Sequence, residues 1–426
     1  MYFNVLRGLG KDDEDTVAYV LSTLKDKILV EESLILPSLR SVLFGNVTLE
    51  QLASISARED DRIASELAHD VLVKVCTDPS NGLMPDAKRK LGGNSDRLLM
   101  LMKKLRAVEI GYHKDLLLAI VRGRPSLASA FFDEFPYNME DFASPSCHCR
   151  FSSISLAAEL VSSVRTSCSF DFLSADQRAT SPGGSDVQTI MKCLCPRPFS
   201  RSLITKGMLH SDFLVRHVTL RFMLETLRLL DSFVASWNLC SSHRCSVEQI
   251  QVSLEQNVMG EVRSFYPEFQ VLWTLLKPLD GSSKTEKPSS KRKTKLDRGL
   301  SRQKRFKQSE KDVSDEEAGD IVVVGIGSDK DSLADDNVDA HMTNQEDAER
   351  EYLGIVSEIW ASELCFKPID SVGEAEKWFH LKLLDALKIY VCAVHNVLEG
   401  AFDVFMKFVS NSLNLPAELQ RACCLC

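Results

Sequence analysis

The sequence predicts an all-α protein, an α-solenoid of HEAT- or armadillo-like helical repeats interrupted by a disordered charged insertion. Three observations predict it. Apolar residues recur at spacings of three and four through residues 1–276 and again after residue 346, the mark of helices with one buried face. Runs of β-forming residues are short and isolated, without the strand–helix alternation that a parallel sheet needs. Short turns join these amphipathic helices, and stacked helix pairs are the arrangement that buries such faces continuously. No fixed sequence period is visible, so the repeats are degenerate, and an irregular helical bundle is the alternative.

The elements follow in order. Val17, Val20, Leu21, Leu24 and Ile28 line one helical face behind an acidic start at Asp12–Asp15, where the helix dipole favours anions. Thr48-Leu-Glu-Gln51 reads as a capping box, followed by Leu49, Leu52 and Ile55. Ile63, Leu67, Val71 and Val75 mark the next apolar face. Ser95–Leu105 and His113–Val121 form a further pair. Pro125 suits the first turn of the helix carrying Leu127, Phe131 and Phe132. A helix follows over 152–164. Ser211 can cap a long one reaching Trp237 through Leu214, Val218, Phe222 and Leu229. Residues 246–262 and 268–276 close the run.

Composition changes at Asp280. Residues 281–308 are rich in Lys and Arg, and residues 309–350 turn acidic. Neither half carries enough apolar surface to offset chain entropy, so 281–345 is expected to be disordered. Helical spacing resumes near Glu346, with Ile355, Ile359, Phe379, Leu383, Leu384, Leu387, Val391 and Val394. The domains expected are therefore a helical-repeat region over 1–280, a basic-then-acidic linker over 281–345, and a continuing helical segment over 346–426.

The chain has 426 residues, 44% of them hydrophobic, and a net charge of -9. That length supports two or three packed domains. Thirteen cysteines, an odd and irregularly spaced set, argue against a disulfide framework and for a reducing compartment. The N-terminus has no apolar signal core, and no run approaches the roughly 18 apolar residues of a membrane span. The chain opens inside a helical pattern and stops just after a helix start at Pro416, which reads as part of a longer protein. The ending CCLC is a poor prenylation box, with no adjoining polybasic segment.

Few residues form chemical constellations. Cys147-His148-Cys149, Cys193-x-Cys195, and Cys240 and Cys245 with His243 lack the CxxC spacing that seats two thiolates on one zinc, so no metal site is expected. HExxH and GxSxG are absent. The Gly-rich run 321–330 has Lys330 where a third glycine belongs, so neither nucleotide-binding pattern is met. No catalytic residue, cofactor or small-molecule substrate is expected.

Binding signals are clearer. Lys291, Arg292, Lys293 and Lys295, then Arg302, Lys304, Arg305 and Lys307, form two clusters that fit a bipartite nuclear localisation signal read by an import receptor. The same clusters can touch RNA phosphates, or simply solvate a linker. Ile321, Val322, Val323 and Val324 follow Ser314-Asp-Glu-Glu317, as in a SUMO-interacting motif, in which a short apolar strand adds to a sheet edge. Ser314 itself has the context of an acid-directed phosphorylation site.

Three stretches together have a family likeness. They are RGLGKDDEDTVAYVLSTLKDKIL (7–29), GRPSLASAFFDEFPYNMED (123–141) and LITKGMLHSDFLVRHVTLRFMLETLRLL (203–230). The core of the last is Lys206-Gly207, Leu209-His210, Asp212, Leu214-Val215-Arg216-His217. These resemble the N-terminal region of the nucleolar pre-ribosomal-associated protein 1 family, its plant members in particular. The resemblance implies a large helical-repeat scaffold of the nucleus and nucleolus, non-enzymatic, acting early in assembly of the large ribosomal subunit and in rRNA processing. It implies pre-ribosomal RNA, pre-60S proteins, small nucleolar ribonucleoproteins and a DEAD-box RNA helicase as partners, and no membrane. The chain departs from the family at Cys147–Arg150, which reads as an insertion, and at its RACCLC ending. The other class of reading is a nuclear helical-repeat adaptor in transport or SUMO-dependent regulation. Within the motif, Gly207 reads as a helix end and Leu214, Val215, Val218 and Leu220 as packing residues. His210 and Arg216 read as structural groups or RNA contacts.

Overall fold

The computed structural model describes residues 2–31, 36–79, 93–135, 148–167, 191–241, 258–276, 337–364 and 367–394, with residues 83 and 188. Among these residues every regular element is helical. The chain divides into two units, residues 1–280 with 349–426, and residues 281–348. The helices are α1 (Tyr2–Gly8), α2 (Glu14–Thr23), α3 (Pro37–Leu43), α4 (Asn46–Ser56), α5 (Arg62–Thr77), α6 (Gly93–Lys104) and α7 (Gly111–Gly123). They continue with α8 (Ser126–Asp133), α9 (His148–Thr166), α10 (Arg201–Met208), α11 (Phe213–Ser241), α12 (Phe269–Leu276), α13 (Asn337–Ile359) and α14 (Val372–Ala393).

Short polar side chains start several of these helices by accepting an otherwise unpaired backbone N–H. Asp13 accepts from Thr16 N at 2.9 Å, Asp61 from Ala64 N at 3.0 Å, and Ser371 from Glu374 N at 3.2 Å. Pro37 occupies the first turn of α3, where its missing N–H costs nothing. A π turn, Leu24–Ile28, prolongs α2 and aims Lys25 at Asp70 of α5, 2.5 Å away.

The packing builds two layers. In one, α2 packs on α5, α5 on α7, α7 on α9, α9 on α11 and α11 on α14. In the other, α1 packs on α4, α4 on α6 and α6 on α8, and the layers meet through the α4–α5, α7–α8 and α8–α9 pairs. Each helix thus covers its neighbour's apolar stripe, as in a helical-repeat solenoid. The expected all-α repeat architecture is what the chain adopts.

Helix α11 occupies the deepest position. Val215, Val218, Leu220, Phe222, Met223, Leu224, Leu227, Leu229 and Leu230 are buried around its whole circumference. A helix apolar on all sides is an interior helix, and α9, α10 and α14 enclose this one.

Three local expectations are corrected. Thr48 does not cap α4: the helix starts earlier, after Gly45, and the Thr48 hydroxyl lies inside its first turn without a hydrogen-bond partner. Gln51 instead accepts from Gly10 N at 3.3 Å. Ile63 is 68% exposed, because the start of α5 turns the stripe Ala64, Ala68, Val71, Leu72 and Val75 inward. The helix expected over 152–164 begins at His148 and so takes in much of the proposed insertion.

This burial sets a stability contrast. Leu224→Ala leaves a cavity inside the stack and is expected to cost about 2–5 kcal/mol, whereas Ile63→Ala should change stability by less than about 0.5 kcal/mol. Urea unfolding of both variants checks the difference.

Candidate functional site

The motif 206–217 forms the joint between α10 and α11. The Asp212 carboxylate accepts from Leu214 N at 2.9 Å and opens α11. His210 accepts from Asp212 N through Nδ1 at 3.1 Å, and its carbonyl accepts from Arg216 Nε. The Arg216 guanidinium also lies over the Phe213 ring, 4.8 Å from its centre. His210 and Arg216 therefore hold the turn shut. Lys206 and Leu209 face solvent, Leu214 is half-buried, and Val215 is buried.

Gly207 does not end α10. It lies one residue inside it, where α10 packs directly against Thr219 of α11. A Cβ at this position would overlap the Thr219 hydroxyl and stand 2.9 Å from its methyl carbon. That hydroxyl is itself bonded to the Val215 carbonyl at 2.6 Å, so it cannot swing aside freely. Glycine is required by close helix contact, which a terminator reading misses.

His217 has the most consequential position. It is fully buried, and Trp360 Nε1 donates to its Nδ1 at 3.0 Å. Phe379 packs edge-on against the ring, with centres 5.2 Å apart. A ring accepting at Nδ1 carries its proton on Nε2, which finds no hydrogen-bond partner. Burial, with His380 adding a smaller push, lowers the His217 pKa to about 4.

Further along α11 the polar groups continue toward the segment after residue 349. Arg221 donates to the Ile359 carbonyl. Arg228 forks onto Glu363 with bonds of 3.0 and 3.2 Å, and Lys382 reaches the same carboxylate at 2.6 Å. Desolvation would raise the Glu363 pKa, but the bonds from Arg228 and Lys382 hold it below the usual range. Glu225, buried, pairs with Arg228 at 2.7 Å and Arg165 at 3.5 Å. Tyr390 donates to the Pro267 carbonyl at 3.2 Å. The seam carries paired charges and direct hydrogen bonds, with the His217 Nε2–H left without a partner.

Most of the other sequence candidates lie outside the described residues. Lys291–Lys295, Arg302–Lys307, Ser314 and Ile321–Val324 lie outside the described residues, as do the side chains of Cys147, Cys149, Cys240 and Cys245. Cys193 and Cys195 are free thiols whose pKa burial pushes up to about 12. Among the described residues no three metal-ligating side chains gather. The sequence reading missed Trp360, Glu363 and Lys382. Their one signal is a pair of charged residues and a tryptophan set among apolar residues at helical spacing.

Residues 1–147 match the protein family Npa1, described as ribosome 60S biogenesis N-terminal. That stretch is an Npa1-like ribosome 60S biogenesis region. It takes in α1 to α8 and ends before the 206–217 motif. It indicates a role in 60S ribosome biogenesis. No curated protein and no solved structure matches the chain.

Two outcomes follow from the seam. Gly207→Ala is expected to destabilise the chain by about 1–3 kcal/mol through overpacking. Thr219→Ala in the same chain should recover part of that loss, so a double-mutant cycle by urea unfolding should show clear non-additivity. Stability should also depend on pH through His217. Its folded pKa of about 4 lies below the ordinary histidine value of about 6.5, so the unfolded chain binds the extra proton. The stabilisation is fully present above that ordinary value and is lost as pH falls toward 4, by on the order of 3 kcal/mol. In His217→Gln the same pH titration of unfolding free energy should be correspondingly flatter.

Proposed function

We propose that this chain is a non-enzymatic scaffold of the nucleolus that acts in early 60S assembly and pre-rRNA processing. The match of residues 1–147 to a ribosome 60S biogenesis family carries this reading. The stacked helices support it, since repeat arrays offer extended surfaces for large partners. The scaffold binds pre-ribosomal RNA and pre-60S proteins. A DEAD-box RNA helicase and small nucleolar ribonucleoproteins are among its partners by family resemblance.

The basic clusters deliver the chain and hold it in place. Lys291–Lys295 and Arg302–Lys307 dock on an import receptor, then exchange counterions with RNA phosphates once in the nucleolus. The acidic residues that follow, from Glu310 to Asp347, compete with RNA for the same cations. Phosphate on Ser314 adds to that competition.

Two measurements test the reading. The chain should co-sediment with pre-60S particles; absence from those fractions would favour an adaptor in transport or SUMO-dependent regulation. Changing Lys291, Arg292, Lys293, Arg302, Lys304 and Arg305 to Ala should move a fluorescent fusion toward the cytoplasm while the helical array stays folded. A fusion that stays as concentrated in nucleoli as the parent shows that the clusters are only a linker.

A further inference from the structure

We propose that His113 is a proton-sensitive latch between the two helical layers: its neutral ring ties the end of α4 to the turn between α6 and α7, and a second proton on the ring frees that turn while the stack around it stays folded. The ring is buried, and each of its nitrogens meets a backbone group. Arg106 N donates to Nδ1 at 2.9 Å, and Nε2 lies 2.9 Å from the Ala53 carbonyl oxygen. An amide N–H can only donate and a carbonyl can only accept. These two neighbours therefore fix the tautomer, with the proton on Nε2 and a lone pair on Nδ1.

The position of the ring gives it leverage. α4 belongs to one layer and α7 to the other, and the two helices pack directly. The Ala53 carbonyl lies in the last turn of α4, where a helix runs out of amides for its own carbonyls. His113 caps it from α7, beside the Ser56 hydroxyl, which donates to the same oxygen at 3.0 Å. The Arg106 amide stands just past the end of α6, and Nδ1 is the acceptor that meets it.

A second proton would occupy Nδ1 and set one N–H against another. The bond from Arg106 would be lost, whereas the bond to Ala53 would survive. The release is therefore one-sided: the turn 105–110 lets go and α4 keeps its cap. The surroundings oppose that proton as long as the turn is closed. Burial holds the His113 pKa below the ordinary histidine value; the Ala53 bond pulls it back up, and the charges of Arg106 and His69 push it down. His69 of α5 stacks on Tyr112, with ring centres 4.8 Å apart. Glu50 of α4, Asp70 of α5, Glu134 after α8 and Glu159 of α9 are each held by a lysine.

Amide hydrogen exchange of the full chain, corrected for the intrinsic pH dependence of exchange, reads the latch. The opened ring binds its proton near the ordinary value of about 6.5 and the closed ring only below it, so opening becomes easier as pH falls through that window. Protection of residues 105–110 should fall by at least about threefold between about pH 7 and pH 5. The same fall should appear in His217→Gln, which removes the other buried histidine of low pKa. In His113→Asn, Oδ1 can accept from Arg106 N but nothing titrates, so protection of 105–110 should stay flat over the same range. His113→Gln, a second variant that cannot titrate, should be flat as well and serves if the first does not fold. A flat profile in the parent chain overturns the proposal. So does an equal fall in a folded variant without His113, because another group would then be taking up the proton.

Discussion

The structure depends on satisfying the polar groups of one buried helix. α11 is enclosed on all sides, yet it carries His217, Thr219, Arg221, Glu225 and Thr226 in its interior positions. A buried donor or acceptor left unpaired costs about 1–3 kcal/mol. Thr219 and Thr226 solve this locally, by bonding to carbonyls of their own helix. His217 accepts from Trp360 and Arg221 donates to the Ile359 carbonyl, both far along the chain, and the Glu225–Arg228 pair is extended by Glu363. The segment after residue 349 is thus the missing wall of the array.

Ion pairs accompany successive steps of the stack, linking Lys25 to Asp70, Lys114 to Glu159, Arg165 to Glu225 and Arg228 to Glu363. The more exposed of these are worth little, roughly 0–1 kcal/mol each. Their contribution is to register, since buried apolar stripes alone tolerate sliding. At the α11 seam the charges are less exposed, and removing one partner would strand the others. The neutral His217 ring, wedged against Phe379 and bonded to Trp360, fixes the same register without charge.

Much of the helix pattern was legible because burial repeats every three or four residues. Val17, Leu21, Val71, Val75, Phe222, Leu229 and Leu383 all lie inside, as their spacing predicts. Element ends were less legible, since a capping pattern such as Thr48–Gln51 recurs inside helices, and only tertiary packing decides where the chain turns. Ile63 shows the same limit, because a two-layer stack chooses between adjacent stripes. Gly207 reads as a terminator in one dimension and as a contact point in three. Trp360 and His217 are 143 residues apart, with a charged insertion between them, so nothing local in the sequence joins them. The motif 206–217 was visible as a family likeness, while its physical role needed the segment that completes it.

Residues 349–394 complete the array by packing on α11. Amide hydrogen exchange across residues 213–230, compared between the full chain and the chain ending at residue 280, tests it most directly. Protection there should fall to that of a locally opening helix when the return segment is removed, while α4 and α5 keep theirs. Equal protection of 213–230 in both chains would contradict the account, because the helix would then be stable without the partners of His217, Arg221 and Arg228.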